Sequence, residues 1–476
     1  MIHHHLNAIY SKLKSSNIQL VANIESVNTT YSQFAQLVFD RAAHFATLES
    51  SRIALFCENH IDTYAAIIAC WFSGKSYIPL HPQWPSDRTH KVLTIANCEL
   101  IYCRDILPYN VPQKTISSKE IKACGKFEFS GVKLNQEAYV LFTSGSTGDP
   151  KGVPISHQNL AAFYDGFLQL KYDLSENDRF LQMFDLTFDL SIASFMIPLT
   201  LGASFYSLNS DLLKPLSLYE TLDSKHITFA LMVPSAIQML MPYLDEIDLP
   251  HLKYTQFCGE PLYTHQVENW KKCGKNSIID NVYGPTEATI YCSHYRAHPN
   301  NQLLEINGIV SIGNPLKNAD LSLVNGELII HGEQLTEHYL NGIQNDVFSK
   351  GIHQEKTYQT GDLGQFHEGH FFCLGRNDLQ IKMNGYRIEL NEIEYQYAIK
   401  FNHKLSVAVT KENEQKLTEI ILFVKASEAP MKAEILNKLS EVLPKYMLPS
   451  DIVYIDEFLY NANGKLDRKS LKQWKK

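Results

Sequence analysis

The stretch YVLFTSGSTGDPKGVPISH, Tyr139 to His157, constrains this chain more than any other. An apolar, β-rich run leads straight into a loop of glycines and hydroxyls with one lysine. Glycines let a backbone approach a ligand closely, hydroxyls and free N–H groups donate hydrogen bonds, and an ammonium adds positive charge. The pattern points to a polyphosphate held at the end of a buried strand. It is not a Walker loop, because Pro150 stands where the second glycine belongs and Gly152 follows Lys151.

The flanking sequence predicts the sheet that such a strand needs. RIALFC (52–57) reads as a buried strand, His60 to Gly74 as a helix ending at a glycine, and SYIPL (76–80) as another strand. Thr30 and Gln33 have the form of a capping box ahead of a further helix. Strand, helix, strand is the grammar of a parallel sheet with crossover helices, and it recurs over 224–240. From about Asn301 the texture changes to short strands and turns, with a hairpin at Asn325-Gly326. An α+β module is expected to begin near Arg376 to Leu379. It carries a helix at 391–400, strands at 405–410 and 418–425, and a helix at 432–443.

A chain of 476 residues exceeds what one hydrophobic core usually supports. The expected class is α/β, with a large N-terminal body of mixed α/β layers and parallel sheets over residues 1–377. A small α+β C-terminal domain is expected over residues 378–476.

Charge and cysteine usage narrow the function classes. The net charge of −8 gives no whole-molecule attraction to nucleic acid or to an anionic membrane, so any anion site must be local. Nine scattered cysteines form no C-x-x-C pair, and no apolar leader precedes them, which predicts reduced thiols in a cytoplasm. The longest apolar run, YAAIIACWF, is far short of the ~20 residues a membrane span requires. The histidines of MIHHHL, read as part of a mobile terminus, make a poor metal site.

Further motifs follow in order: GKSYIPLHPQWPSDR (74–88), FDLS (188–191), NVYGPTEATI (281–290), GELIIHGEQLTEHYL (326–340), YQTGD (358–362), GRNDLQIKMNGYRIELNEIE (375–394), LPKYMLP (443–449) and NGKLDR (463–468). With the loop at 142–152 they resemble the core motifs of amino-acid adenylation domains, over nearly the whole chain. These belong to the adenylate-forming superfamily, and the chain resembles stand-alone domains of the nonribosomal-peptide-synthetase or D-alanine–carrier-protein ligase type. The resemblance implies activation of an amino acid by ATP to aminoacyl-AMP with release of pyrophosphate, aided by Mg²⁺. Transfer to the phosphopantetheine thiol of a separate carrier protein would follow.

By the same resemblance, Thr143, Ser144, Gly145, Ser146, Thr147, Gly148 and Lys151 hold the phosphates, and Glu287 is a hard oxygen ligand for Mg²⁺. Tyr283 offers an aromatic face to adenine and Asn281 an amide to its edge. Gly284, Thr286 and Arg376 also join the nucleotide site, and Asp362 accepts from the ribose hydroxyls. Lys465 stabilises charge in the first half-reaction, and Asp378 is the hinge about which the small domain turns.

Asp189 decides the substrate class. Phe184, Leu186, Phe188 and Leu190 alternate with Asp185, Thr187, Asp189 and Ser191, so Asp189 borders apolar surroundings in which a carboxylate calls for a cation. Its commoner fate would be a helix N-cap. The resemblance makes it the partner of a substrate ammonium, in a pocket with Leu190, Ala193, Leu231, Gln256, Cys258, Val282, Ile290, Tyr291 and Lys465. Apart from Lys465 no second charge lines that set, and Gln256 and Tyr291 could serve a polar side chain.

Two alternatives remain: a carboxylate–CoA ligase, which Asp189 disfavours, and a ligase specific for D-alanine. A tRNA synthetase is disfavoured by the absence of H-I-G-H and K-M-S-K-S.

Overall fold

The computed structural model describes residues 4–15, 18–105, 107–109, 111–124, 126–145, 149–297, 302–340, 342, 345–351, 354–402, 405–413, 417–425, 430–458 and 467–474. Ser146, Thr147, Gly148 and Lys465 lie outside the described residues. The chain divides into two compact units. One comprises Met1–Pro82, Ile95–Leu141 and Gly152–Asn377; the other comprises Gln83–Thr94, Phe142–Lys151 and Asp378–Lys476.

The first unit is built on mixed sheets. A nine-stranded sheet runs from edge to edge through Asn314–Pro315, Ser293–Ala297, Ile278–Tyr283, Tyr254–Phe257, Phe229–Met232, Arg179–Gln182, Ser204–Ser207, Leu20–Ile24 and Val27–Thr30. Its inner strands pair in parallel, and antiparallel pairs close both edges. A second sheet contains the parallel strands Arg52–Phe56, Ser76–Leu80 and Leu100–Cys103, as the strand–helix–strand reading requires.

Local signals act where they were expected. The Thr30 hydroxyl caps the helix Tyr31–Ala46, with the reciprocal bond from Gln33 in place. Asn325 and Gly326 both take positive φ between the strands Ala319–Val324 and Glu327–Gly332, the backbone a two-residue hairpin turn demands. The helix Asp189–Leu201 is buried through Thr200 and ends at Gly202, whose φ of +81 suits a residue without Cβ.

The amino terminus departs from expectation. His4–Lys14 is a helix whose inward face carries Leu6, Ile9 and Leu13, and His5 is fully buried with them, so this segment belongs to the core. The nine cysteines are free thiols. Among the described residues no helix is long and apolar enough to cross a membrane.

In the second unit, a sheet of Ser406–Glu412, Thr418–Lys425 and Asp451–Ile455 packs on the helices Leu390–Lys400 and Lys432–Ser440. The hairpin Gln380–Met383 and Tyr386–Glu389 precedes them.

Candidate active site

In the second unit the glycine loop is tied down by its own first serine. Thr143 ends the strand Glu137–Thr143, and the next hydroxyl, Ser144 Oγ, donates to the Arg387 carbonyl at 2.9 Å and accepts from the Glu389 N–H at 3.0 Å. A Cβ on Gly145 would stand 1.9 Å from the Asp149 carbonyl oxygen, so no other residue fits this turn. Lys151 opens the strand Lys151–Ser156 and is buried. Burial raises the pKa of Glu389, and the charges of Lys151 and Arg387 oppose the rise.

A fully buried ion pair joins Arg88 to Glu392 at 2.8 Å, with the guanidinium 5.4 Å over the Trp84 ring. Asp378, the predicted hinge, accepts from the Gln380 N–H at 3.1 Å.

In the first unit the strand Ile278–Tyr283 delivers Asn281, Val282 and Tyr283, and the turn Thr286–Ala288 follows it. Tyr283 donates to Asp362 Oδ2 at 2.5 Å, and Arg376 pairs with the other carboxylate oxygen. Asp362 and Arg376 face each other across adjacent strands, so the register itself sets this contact. Burial and the Asp362 charge both push the Tyr283 phenol up. Asn281 uses its amide nitrogen on the Ser311 and Val310 carbonyls, at 2.9 and 3.3 Å. Gly284 has no room for a Cβ, which would lie 2.4 Å from Tyr291 Cα.

Glu287 is fully buried on the turn Thr286–Ala288, and the Tyr339 hydroxyl donates to its Oε1 at 2.6 Å. Among the described residues no group of three His, Cys, Asp or Glu side chains could cage a metal. A single oriented carboxylate fits Mg²⁺, a hard cation that keeps waters and takes its other ligands from substrate phosphates.

The predicted pocket residues fall on a helix, three strands and a turn. Asp189 is the first residue of the helix Asp189–Leu201 and is 8% exposed; Phe188, not Asp189, occupies the N-cap. Burial raises the pKa values of the Tyr77 and Tyr139 phenols, and the negative charge of Asp189 adds to both shifts. Leu190 and Ala193 continue the helix and are buried. Leu231, Gln256 and Asp280 sit side by side on three parallel strands, on one sheet face. Cys258 and Val282 are buried near them in sequence.

Thr289 and Ile290 close this region with φ of +56 and +76, a backbone that β-branched residues adopt only under constraint. Gln334 supplies the constraint. Its Nε2 donates to the Tyr291 carbonyl at 2.9 Å and the Ala288 carbonyl at 3.3 Å, while the Thr289 hydroxyl donates to the Gln334 carbonyl.

The two polar side chains that the sequence offered to a polar substrate group bond instead within the protein. Tyr291 donates to Gln256 Oε1 at 3.2 Å, and Gln256 Nε2 donates to the Tyr172 hydroxyl at 2.7 Å. Sequence reading singled out neither Tyr172, Gln334 nor Tyr339. Tyr339 and Gln334 lie inside the motif GELIIHGEQLTEHYL, which offered a signal; Tyr172 lies in none.

A mixed α/β frame with one buried acid held by tyrosine and arginine and a second buried acid held by another tyrosine is that of an AMP-forming ligase. The chain matches the AMP-binding enzyme family over residues 14–340. It is 30% identical over 461 residues to a D-alanine–D-alanyl carrier protein ligase of Bacillus licheniformis, covering 90% of each chain. It is 29% identical over 448 residues to gramicidin S synthase 2 of Aneurinibacillus migulanus, covering 88% of this chain and 10% of that protein. Its fold matches the Vibrio cholerae adenylation domain AlmE, solved with glycyl-adenosine-5'-phosphate, with a TM-score of 0.87 at 22% identity over 99% of this chain and 98% of that one. The chain belongs to the AMP-binding enzyme family.

Proposed function

We propose that this protein activates an amino acid with ATP, forming aminoacyl-AMP and pyrophosphate, and passes the aminoacyl group to the phosphopantetheine thiol of a separate carrier protein. The observation that carries the reading is Asp189, a carboxylate 8% exposed at the first position of a helix that continues with the buried Leu190 and Ala193. Such a group favours a cationic partner, which the α-ammonium of an amino acid provides and a simple carboxylic acid does not. Kinship with carrier-protein ligases supports both the amino acid and the acceptor, and makes D-alanine the first substrate to try.

The chemistry asks one anion to attack another. A substrate carboxylate must approach the α-phosphorus while pyrophosphate leaves, so catalysis is positioning and charge neutralisation. Ser146, Thr147 and Lys151 are suited to the departing phosphates and Asp362 to the ribose, while the Ser144 hydroxyl, bonded to Arg387 and Glu389, moors the loop. Tyr283 and Asn281 suit the adenine, and Lys465 the developing charge. Glu287 would hold Mg²⁺, which neutralises phosphate charge when bound.

The test is amino-acid-dependent exchange of labelled pyrophosphate into ATP, followed by loading of a carrier protein or of coenzyme A. Exchange with amino acids and loading of the carrier is the expected result. Turnover of carboxylic acids that lack an amine, with none for amino acids, would remove the role given to Asp189.

A further inference from the structure

Behind Gln256 runs a chain of polar groups that no sequence motif marks. Asp280 is the neighbour of Gln256 across the parallel strands and of Arg296 across the antiparallel one, so a glutamine, an acid and an arginine stand in one row. The Arg296 guanidinium donates to both Asp280 oxygens, at 3.0 and 3.2 Å, and His294 Nε2 lies 3.2 Å from Oδ1. Tyr172 donates to Oδ2 at 2.5 Å, under the guanidinium, which sits 5.0 Å from its ring centre. The rings of Phe167, Phe229 and Tyr254 wedge Tyr172 in place.

The order of donors in this chain is forced. An ionised carboxylate only accepts, so the single hydroxyl proton of Tyr172 must go to Asp280. The Tyr172 oxygen is then left to accept, which turns the NH₂ end of Gln256 toward it. That leaves the Gln256 carbonyl facing Tyr291, which must donate. Asp280 thus dictates, through two intermediaries, how Gln256 and Tyr291 present themselves. Both are wholly buried, and the bonds made by Tyr172, Gln256, Tyr291 and Arg296 each satisfy one polar atom with another.

We infer that Tyr172, fixed by Asp280, is a positioning residue for substrate choice: it holds Gln256 and Tyr291 together as a closed wall that restricts the enzyme to amino acids with no side chain or a very small one. The inference rests on the amino-acid-activating reading above and on the place of Gln256 and Tyr291 in its pocket. A larger apolar side chain has to displace Gln256 or Tyr291 bodily. A larger polar one has to break the chain and leave a buried group without its partner.

The test uses pyrophosphate exchange by the full chain with glycine, D- and L-alanine, serine, valine, leucine and phenylalanine. The wild type is expected to favour glycine, alanine or serine over leucine by at least about tenfold in kcat/KM. In Tyr172→Phe and in Gln256→Ala the leucine-to-alanine ratio should rise by about tenfold, chiefly through a lower KM for leucine. A merely structural role would lower all substrates in proportion and leave that ratio unchanged. Should Tyr172→Phe fail to fold, Gln256→Ala carries the comparison alone. A wild-type preference for leucine or phenylalanine, or an unchanged ratio in the folded variants, overturns the inference while leaving amino-acid activation standing. Exchange with no amino acid at all overturns the activation reading, and the inference falls with it.

Discussion

Tyr339 reaches Glu287 from 52 positions further along the chain and donates to its carboxylate at 2.6 Å inside a fully buried site. A partner of this kind fixes the direction in which the other oxygen can meet a cation, and loss of such partners typically costs 10- to 100-fold in metal affinity or activity. Tyr339→Phe is expected to raise the Mg²⁺ concentration needed for half-maximal exchange by about tenfold, with a smaller change in the amino-acid KM. An Mg²⁺ titration of both proteins checks this; coincident curves would detach Tyr339 from any metal role.

Asp362 receives a hydrogen bond from Tyr283 and an ion pair from Arg376, and is itself 2% exposed. Removing the acid leaves Arg376 without its cross-strand partner in a largely buried place. Breaking such a pair costs about 3 to 5 kcal/mol. Asp362→Ala should therefore lower the melting temperature as well as weaken ATP binding. Tyr283→Phe, which removes only a hydrogen bond to a charged group, should cost about 1.5 to 3 kcal/mol. Thermal melts with and without ATP separate the two effects, and equal losses in both variants would contradict the ranking.

The proposed role of Lys465 has a neighbour that can be tested with it. Arg468 is clamped by Glu394, which accepts from both terminal guanidinium nitrogens, and donates at 2.9 Å to the Ala408 carbonyl. Lys465→Ala is expected to lower adenylate formation by about 10²- to 10³-fold while the protein melts normally. Glu394→Gln should weaken the same half-reaction more mildly, through the mooring of Arg468. Neither variant should abolish transfer from preformed aminoacyl-AMP, and normal pyrophosphate exchange by Lys465→Ala would falsify the assignment.

Asp280 predicts a pH dependence. Burial disfavours its ionised form, yet His294 and Arg296 outweigh that penalty and hold the carboxyl below its ordinary value of 3.8. A group whose pKa is depressed by folding adds stability that is present above the unfolded value and lost as pH falls through the folded one. Melting temperatures should therefore drop as pH falls below about 4. Asp280→Asn should be less stable at neutral pH and should lack this part of the acid slope. Matching slopes in the two proteins between about pH 5 and 3 would assign the acid loss to other groups.

What the sequence made legible was mostly local. The Thr30 capping box and the Asn325-Gly326 hairpin each depend on residues a few positions apart, so a short window contains the whole cause. The helix at the amino terminus escaped notice for the opposite reason. Its four inward positions, His5, Leu6, Ile9 and Leu13, include a histidine, and only a tertiary partner makes that face apolar. That Asp189 opens the helix Asp189–Leu201 and does not cap it depends on the fold around it, which the local sequence leaves open. The link between Tyr172 and Asp280 spans 108 positions and is carried by residue types common on any surface. Gln256 and Tyr291 were legible as pocket candidates, but their mutual bond follows from sheet register and from a turn that no composition encodes.

The left-handed pair Thr289 and Ile290, pinned by Gln334, has a kinetic corollary. Because folding has already met the cost of bending that segment, an incoming substrate encounters a finished mould and need not reshape it. Discrimination would then be exercised at first contact, by rejection of ill-fitting molecules, and relaxing the bend should make the enzyme more tolerant and slower together.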